Sequence, residues 1–167
     1  MRFTAWALLI GAIAAGCRED STQSGNIQIS WTGADTGTLT LPARAEWCAP
    51  DRVLEVIAAS GDTGVGLAIF PADSLAPGLL PVRPPTDTTS RPRSGVALRW
   101  FGETLVTGFY SLSGSTTVAT VKPIAGKFQT TLKSVVDGTQ LNVTGTFSGL
   151  AAVSSCGARS RPDSVIR

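Results

Sequence analysis

From Asn26 to Thr32 apolar and polar residues alternate one for one, with Ile27, Ile29 and Trp31 on one side and Gln28, Ser30 and Thr32 on the other. A period of two belongs to a strand with one buried face. The same rhythm of short segments continues down the chain, and glycine or proline interrupts it at nearly every join. Strands are expected at 38–41, 45–48, 52–59, 65–70, 96–101, 104–112, 116–122, 127–136 and 139–147, with 151–156 closing the domain. Gly33-Ala34-Asp35-Thr36-Gly37 reads as a turn that makes the first two strands a hairpin, and Pro42 ends or edges the second. Many short strands with regularly spaced turns imply an all-β fold. An antiparallel β-sandwich is the expected architecture, with a small β-barrel as the alternative.

Composition agrees. Aromatics make up 7% of the chain against 18 glycines, which argues against a helical bundle. A weak echo recurs as Gly108-Phe109-Tyr110, Gly126-Lys127-Phe128 and Gly145-Thr146-Phe147, and it is read as a repeated strand geometry rather than a repeat protein. Residues 71–95 break the strand rhythm: six of the ten prolines fall there. A segment so rich in proline is not expected to pair internally in a sheet, so it reads as a long surface loop. Its Arg83, Arg91 and Arg93 form a local cationic cluster suited to an anionic surface or polysaccharide.

The N-terminus carries an address. Met1-Arg2 supplies a small positive region, Phe3 to Ala15 is uncharged and apolar, and Ala14-Ala15-Gly16 places small residues directly before Cys17. The apolar run falls short of the roughly 20 residues that span a bilayer core of about 30 Å, which favours a cleaved signal over a transmembrane helix. Ala14 to Cys17 resembles the lipobox of bacterial lipoproteins, with Ala14 where that family usually has leucine. The resemblance implies that the Cys17 thiol receives a diacylglyceryl group, that the chain is cut before Cys17, and that the anchor carries palmitate-type acyl chains. Residues 1–16 are then a signal peptide, 17–24 a lipidated tether, 25–156 a single β-domain and 157–167 a flexible tail. The segments Gly126-Lys127-Phe128 and Val143-Thr144-Gly145-Thr146-Phe147-Ser148-Gly149 resemble, loosely, the strand-rich tails of exported bacterial lipoproteins. The implied location is the bacterial cell envelope, lipid-anchored, with the outer membrane favoured.

With Cys17 assigned to lipid, Cys48 and Cys156 remain as an even pair near the two ends of the domain. A disulfide between them is expected, and it requires an oxidising compartment such as the periplasm or cell surface. Two distant cysteines in a chain without histidine offer no recognised metal-ligand spacing, so no metal and no cofactor are expected. Removing Arg2 from the 14 basic residues leaves 13 against 12 acidic ones. A balance so near neutral gives nucleic acid no reason to bind by bulk charge.

The absence of histidine also removes Ser-His-Asp and Cys-His catalysis and the zinc-peptidase helix. Asp-Thr-Gly occurs twice, at Asp35 and Asp62, and looks like the triplet of aspartic proteases. That family sets the triplet at the end of a strongly apolar strand, whereas Asp35 follows Gly33-Ala34 and Asp62 follows Ser60-Gly61. Aspartate and glycine are what hairpin turns demand, so both are read as turns. Trp31, Trp47 and Trp100 form a sugar-stacking platform only if two are exposed on one face, and are read as core. The function expected is therefore that of a membrane-anchored, non-enzymatic binding or structural β-domain with an envelope glycan or protein partner. A carbohydrate-binding or adhesive module is one alternative. A hydrolase using carboxylates, with Asp35 and Asp62 the pair to test, is the other.

Overall fold

The computed structural model describes residues 25–101 and 106–156, and the side chains of these except at positions 100, 101, 106 and 107. The expected signal peptide, Cys17, the tether and the 157–167 tail lie outside the described residues. In chain order the strands are β1 (Gly25–Gly33), β2 (Gly37–Cys48), β3 (Val53–Ser60), β4 (Thr63–Phe70) and β5 (Gly78–Val82). They continue as β6 (Arg93–Phe101), β7 (Val106–Val121), β8 (Ile124–Ser134), β9 (Gln140–Leu150) and β10 (Ala152–Ser154).

The fold is all-β, and of the two architectures expected it is the barrel that forms. The deciding strand is β1, which pairs along one edge with β2 (Ile27 opposite Leu41) and along the other with β9 (Ile27 opposite Phe147). That double pairing joins the first and last long strands, so nine strands close into a ring and two facing sheets do not arise. All neighbours run up and down except at two places. Strand β5 enters between β6 and β7, antiparallel to β7 and touching β6 through the single parallel bridge Val82–Ser94. Strand β10 lies parallel to β2, beyond the start of β1.

Alternation along the barrel strands puts one set of side chains inside. Ile27 and Ile29 of β1, Leu54 and Val56 of β3, Leu67 and Ile69 of β4, Leu132 of β8 and Phe147 of β9 are at most 1% exposed. The interior is filled by these side chains as one continuous core. Trp31 is buried and Trp47 packs half-buried against the core, so neither belongs to an exposed platform.

The glycine–aromatic echo has a structural cause. On β8 and β9, Gly126 stands opposite Phe147 and Phe128 opposite Gly145. Each ring lies over the glycine of the facing strand, and a Cβ at Gly145 would overlap the Phe128 ring, as one at Gly126 would overlap that of Phe147. Trp31 covers Gly37 across the β1–β2 hairpin in the same way. A ring lying flat over a strand glycine shields the bare backbone and fixes register.

Three expectations are corrected. The first concerns residues 71–95, which are not an uninterrupted loop: 78–82 form β5 and 93–95 belong to β6. Pro81 is tolerated because β5 is laddered along one edge only. The second concerns 38–41 and 45–48, which are one strand, β2, that changes partner at Pro42 and Ala43. Pro42 faces Asn26 on one side, while pairing with β3 begins only at Ala43, so the strand runs through an edge position. Third, 104–112 and 116–122 prove to be parts of one strand, β7, with register shifts between Ser111 and Ser113 and between Val118 and Thr120.

The entry of β5 opens a seam, and three buried hydroxyls close it. Ser111 Oγ accepts from the backbone N–H of Val96 at 3.1 Å and donates to the carbonyl of Arg83 at 3.1 Å. Ser94 Oγ donates to Thr116 Oγ1 at 2.8 Å. Buried strand groups displaced from a regular ladder need such partners. Cys48 and Cys156 form a disulfide that ties the end of β2 to the segment after β10.

Candidate functional site

On the outer wall, β3, β4, β6 and β7 carry a groove of about 530 Å³, overhung by the loop that returns from β5 to β6. Its floor follows from register. Gly66 faces Ala97 and Ala68 faces Gly95 across β4 and β6, so four small residues meet as a two-by-two tile. Ile57 stands beside Gly66 on β3, and Tyr110 beside Ala97 on β7, as the two side walls. Phe70 and Arg93, facing each other, close one end, with Glu55 on the β3 side.

The three arginines singled out from the sequence have different positions. Arg83 is exposed and lines the groove. Arg93 also lines it, 8% exposed, with its guanidinium 3.7 Å from the centroid of the Phe70 ring. Arg91 lies 5.4 Å from the same centroid, so Arg91 and Arg93 meet over one ring. The Arg91 guanidinium is directed to backbone: its Nη1 donates to the carbonyls of Arg52 and Pro71 at 3.0 and 3.2 Å, and its Nη2 to that of Asp51 at 2.7 Å. It acts as a latch between the overhanging loop and the β2–β3 turn. Arg83 and Arg93 are the pair that the fold brings to one site.

The overhang is held at both ends. The Arg83 N–H donates to Ser94 O at 2.9 Å, the Asp87 N–H to Pro84 O at 3.0 Å, and the Ser90 N–H to Asp87 Oδ1 at 3.0 Å. The backbone N–H of Ser90, then its hydroxyl, holds the Asp87 carboxyl below its ordinary value of 3.8. Sequence reading found the arginines but not the tile. The pattern was nevertheless present, as Gly66-Leu67-Ala68 and Gly95-Val96-Ala97, each with small residues at alternate positions of a strand.

A second face is polar. Thr117, Lys127, Thr146, Gln28 and Thr40 form one outward row across five strands. Ser115, Gln129, Thr144, Ser30 and Thr38 form the next, under a shallow depression of about 570 Å³. Lys127 is the one charged residue of the ten.

The aspartates of the two Asp-Thr-Gly triplets lie on exposed turns, between β1 and β2 and between β3 and β4. Asp35 Oδ1 accepts the N–H of its own neighbour Thr36 at 2.7 Å, the ordinary role of aspartate in a turn. Among the described residues no three of histidine, cysteine, aspartate and glutamate gather as a metal site would require. No protein-family model, curated protein or solved structure gives a significant match to the chain.

Proposed function

We propose that the protein is a non-enzymatic binding module of the bacterial envelope, carried on a lipid anchor at Cys17 and using the outer-wall groove as its ligand site. The observation that carries this reading is the groove itself. It has the size of a small-molecule site, about 300–1,000 Å³ in general, while the barrel interior is occupied by packed side chains. The disulfide between Cys48 and Cys156 supports an oxidising compartment. Asp35 and Asp62 lie on two different exposed turns, which favours the binding reading over the carboxylate hydrolase.

The test is the intact mass of the protein purified from membranes, beside a Cys17→Ser variant. A mass beginning at Cys17 with added acyl chains, lost together with membrane fractionation in the variant, is expected. An unacylated protein recovered from the soluble fraction overturns the anchored reading. Peptide hydrolysis that disappears in Asp35→Asn/Asp62→Asn overturns the non-enzymatic one.

A second reading, a carbohydrate-binding module, is favoured by the polar rows on β7, β8, β9, β1 and β2. Ten hydroxyl, amide and ammonium side chains on a strand lattice offer a hydroxyl-rich polymer repeated donors and acceptors. Retention on insoluble peptidoglycan that falls when Thr144 and Thr146 are changed to valine is its expected result; equal retention by the variant removes it.

A further inference from the structure

Glycine inside a strand weakens it, so each one calls for a reason. Gly37, Gly126 and Gly145 have theirs in the rings above them. Gly66 and Gly95 do not. A Cβ at Gly66 would meet nothing within 4 Å, and one at Gly95 would have as nearest neighbours Arg83 O and Ser111 Oγ, both at the ordinary contact distance of 3.8 Å. Neither residue has the positive φ that favours glycine. Two positions facing the same groove are bare without a packing or backbone requirement, and Ala68 and Ala97 complete the tile with a single methyl each.

We infer that the tile is the seat of an amphipathic anion, a fatty carboxylate, whose chain lies over Gly66, Ala68, Gly95 and Ala97 and whose head meets Arg83 and Arg93. This rests on the binding-module reading above and names its ligand class. Charge sets the head group: two arginines line the groove against one acidic residue, Glu55. Guanidinium recognises carboxylate through paired N–H donors. Shape sets the body. The groove spans four strands, about 14 Å from β3 to β7 at the usual interstrand spacing, with the two-strand tile as floor and Ile57 and the ring of Tyr110 as walls. An acyl chain fits a floor that offers methyls and bare backbone rather than donors. The overhang is already fixed through Ser94, Asp87 and the Arg91 latch, so the site is pre-formed and binding need not order a loop.

The test is calorimetric titration of the purified full-length protein with sodium decanoate, beside decyltrimethylammonium as the cationic counterpart. Decanoate is expected to bind and the cation not. Gly66→Leu, which fills the tile, is expected to weaken decanoate at least about ten-fold with a melting temperature no lower than that of the parent. Ala97→Leu is a second filler at the facing position, should the first not fold. Arg83→Glu is expected to remove the preference for the anion. Unchanged affinity in a folded Gly66→Leu or Ala97→Leu overturns the inference, as does equal binding of the cation or no binding of decanoate. None of these outcomes touches the acylation of Cys17, so failure of the ligand assignment is distinguishable from failure of the envelope reading.

Discussion

The pairing of Gly145 with Phe128 gives the most demanding test of how register is held. In Gly145→Ala the new methyl overlaps the Phe128 ring and comes to 3.0 Å from the carbonyl oxygen of Gln28. Phe128 is 3% exposed and surrounded by core, so the ring has little room to retreat. Overpacking of this kind costs about 1–3 kcal/mol, and removing a strand glycine returns about 0.5–1. The expected net loss is about 1–2 kcal/mol, or a fall in Tm of roughly 4–8 °C for a domain of this size. Phe128→Leu alone leaves a cavity and costs about 1–2 kcal/mol, less than the 3–5 of a truncation to alanine.

In the double variant the methyl occupies space the ring has left. Gly145→Ala is then nearly neutral, and the cycle shows a favourable coupling of about 1–2 kcal/mol by urea unfolding. Gly126 supplies an internal contrast. Its Cβ would overlap both the Phe147 ring and the backbone carbonyl of Thr117, so deleting the ring does not relieve the clash. Coupling in the Gly126→Ala/Phe147→Leu cycle is therefore smaller. Additivity within about 0.5 kcal/mol at Gly145 and Phe128 refutes the claim that the ring and the glycine specify one another.

Other outcomes follow from the same structure. Replacing Cys48 and Cys156 by alanine opens a sequence separation of 108 residues, with an expected loss of about 4–5 kcal/mol and a Tm lower by roughly 15 °C, read by calorimetry; a shift under about 3 °C refutes the chain-entropy account. Arg91→Ala removes three donated hydrogen bonds to Asp51, Arg52 and Pro71 and frees the overhang, at about 1–3 kcal/mol, with faster proteolysis within 84–90; Arg91→Lys does not restore it, because an ammonium lacks the guanidinium fork. The depressed Asp87 carboxyl stabilises the overhang above its ordinary value of 3.8, and that contribution is lost as pH falls through the lower folded value. Protection of the Ser90 amide against hydrogen exchange is therefore level from neutral pH to about 5 and declines below about 4, whereas Asp87→Asn has no such decline.

How much of this was legible depended on whether alternation survived along a strand. Strand β1 alternates from Gly25 to Thr32, β4 from Gly64 to Phe70 and β9 from Gln140 to Ser148, and their limits in the sequence and the structure agree within a few residues. In β7 the register shift after Ser111 moves the buried positions from odd to even numbers, from Phe109 and Ser111 to Thr116 and Val118, so one strand reads as two. Strand β5 was hidden for another reason. It is five residues long and contains Pro81, and only its position against β7 shows that the missing N–H is tolerable there. The closing of the ring depends on which strands neighbour β1, information that no local pattern carries. The glycine–aromatic echo was visible, but its meaning requires β8 and β9 to be antiparallel in a register that matches each ring to the opposite glycine.

The groove depends on these same departures from a regular meander. Because β5 enters the sheet between β6 and β7, the chain must return from Val82 to Arg93 across the outer wall, and that return becomes the overhang. The buried hydroxyls that close the seam also fix the overhang, since Ser111 bonds both Val96 on the floor strand and Arg83 at the start of the return. Arg91 fixes the other end to a turn on the far side of β3. The proline-rich segment therefore does two things that a simple loop does not: it supplies one strand of the barrel, and it places Arg83 and Arg93 over a floor of small residues. Removing residues 84–90 would leave β5 and β6 in place but uncover the tile. The strand and the shape of the groove are for that reason separable properties of one segment, the first set by Gly78–Val82 and the second by the ten residues 83–92 between Val82 and Arg93.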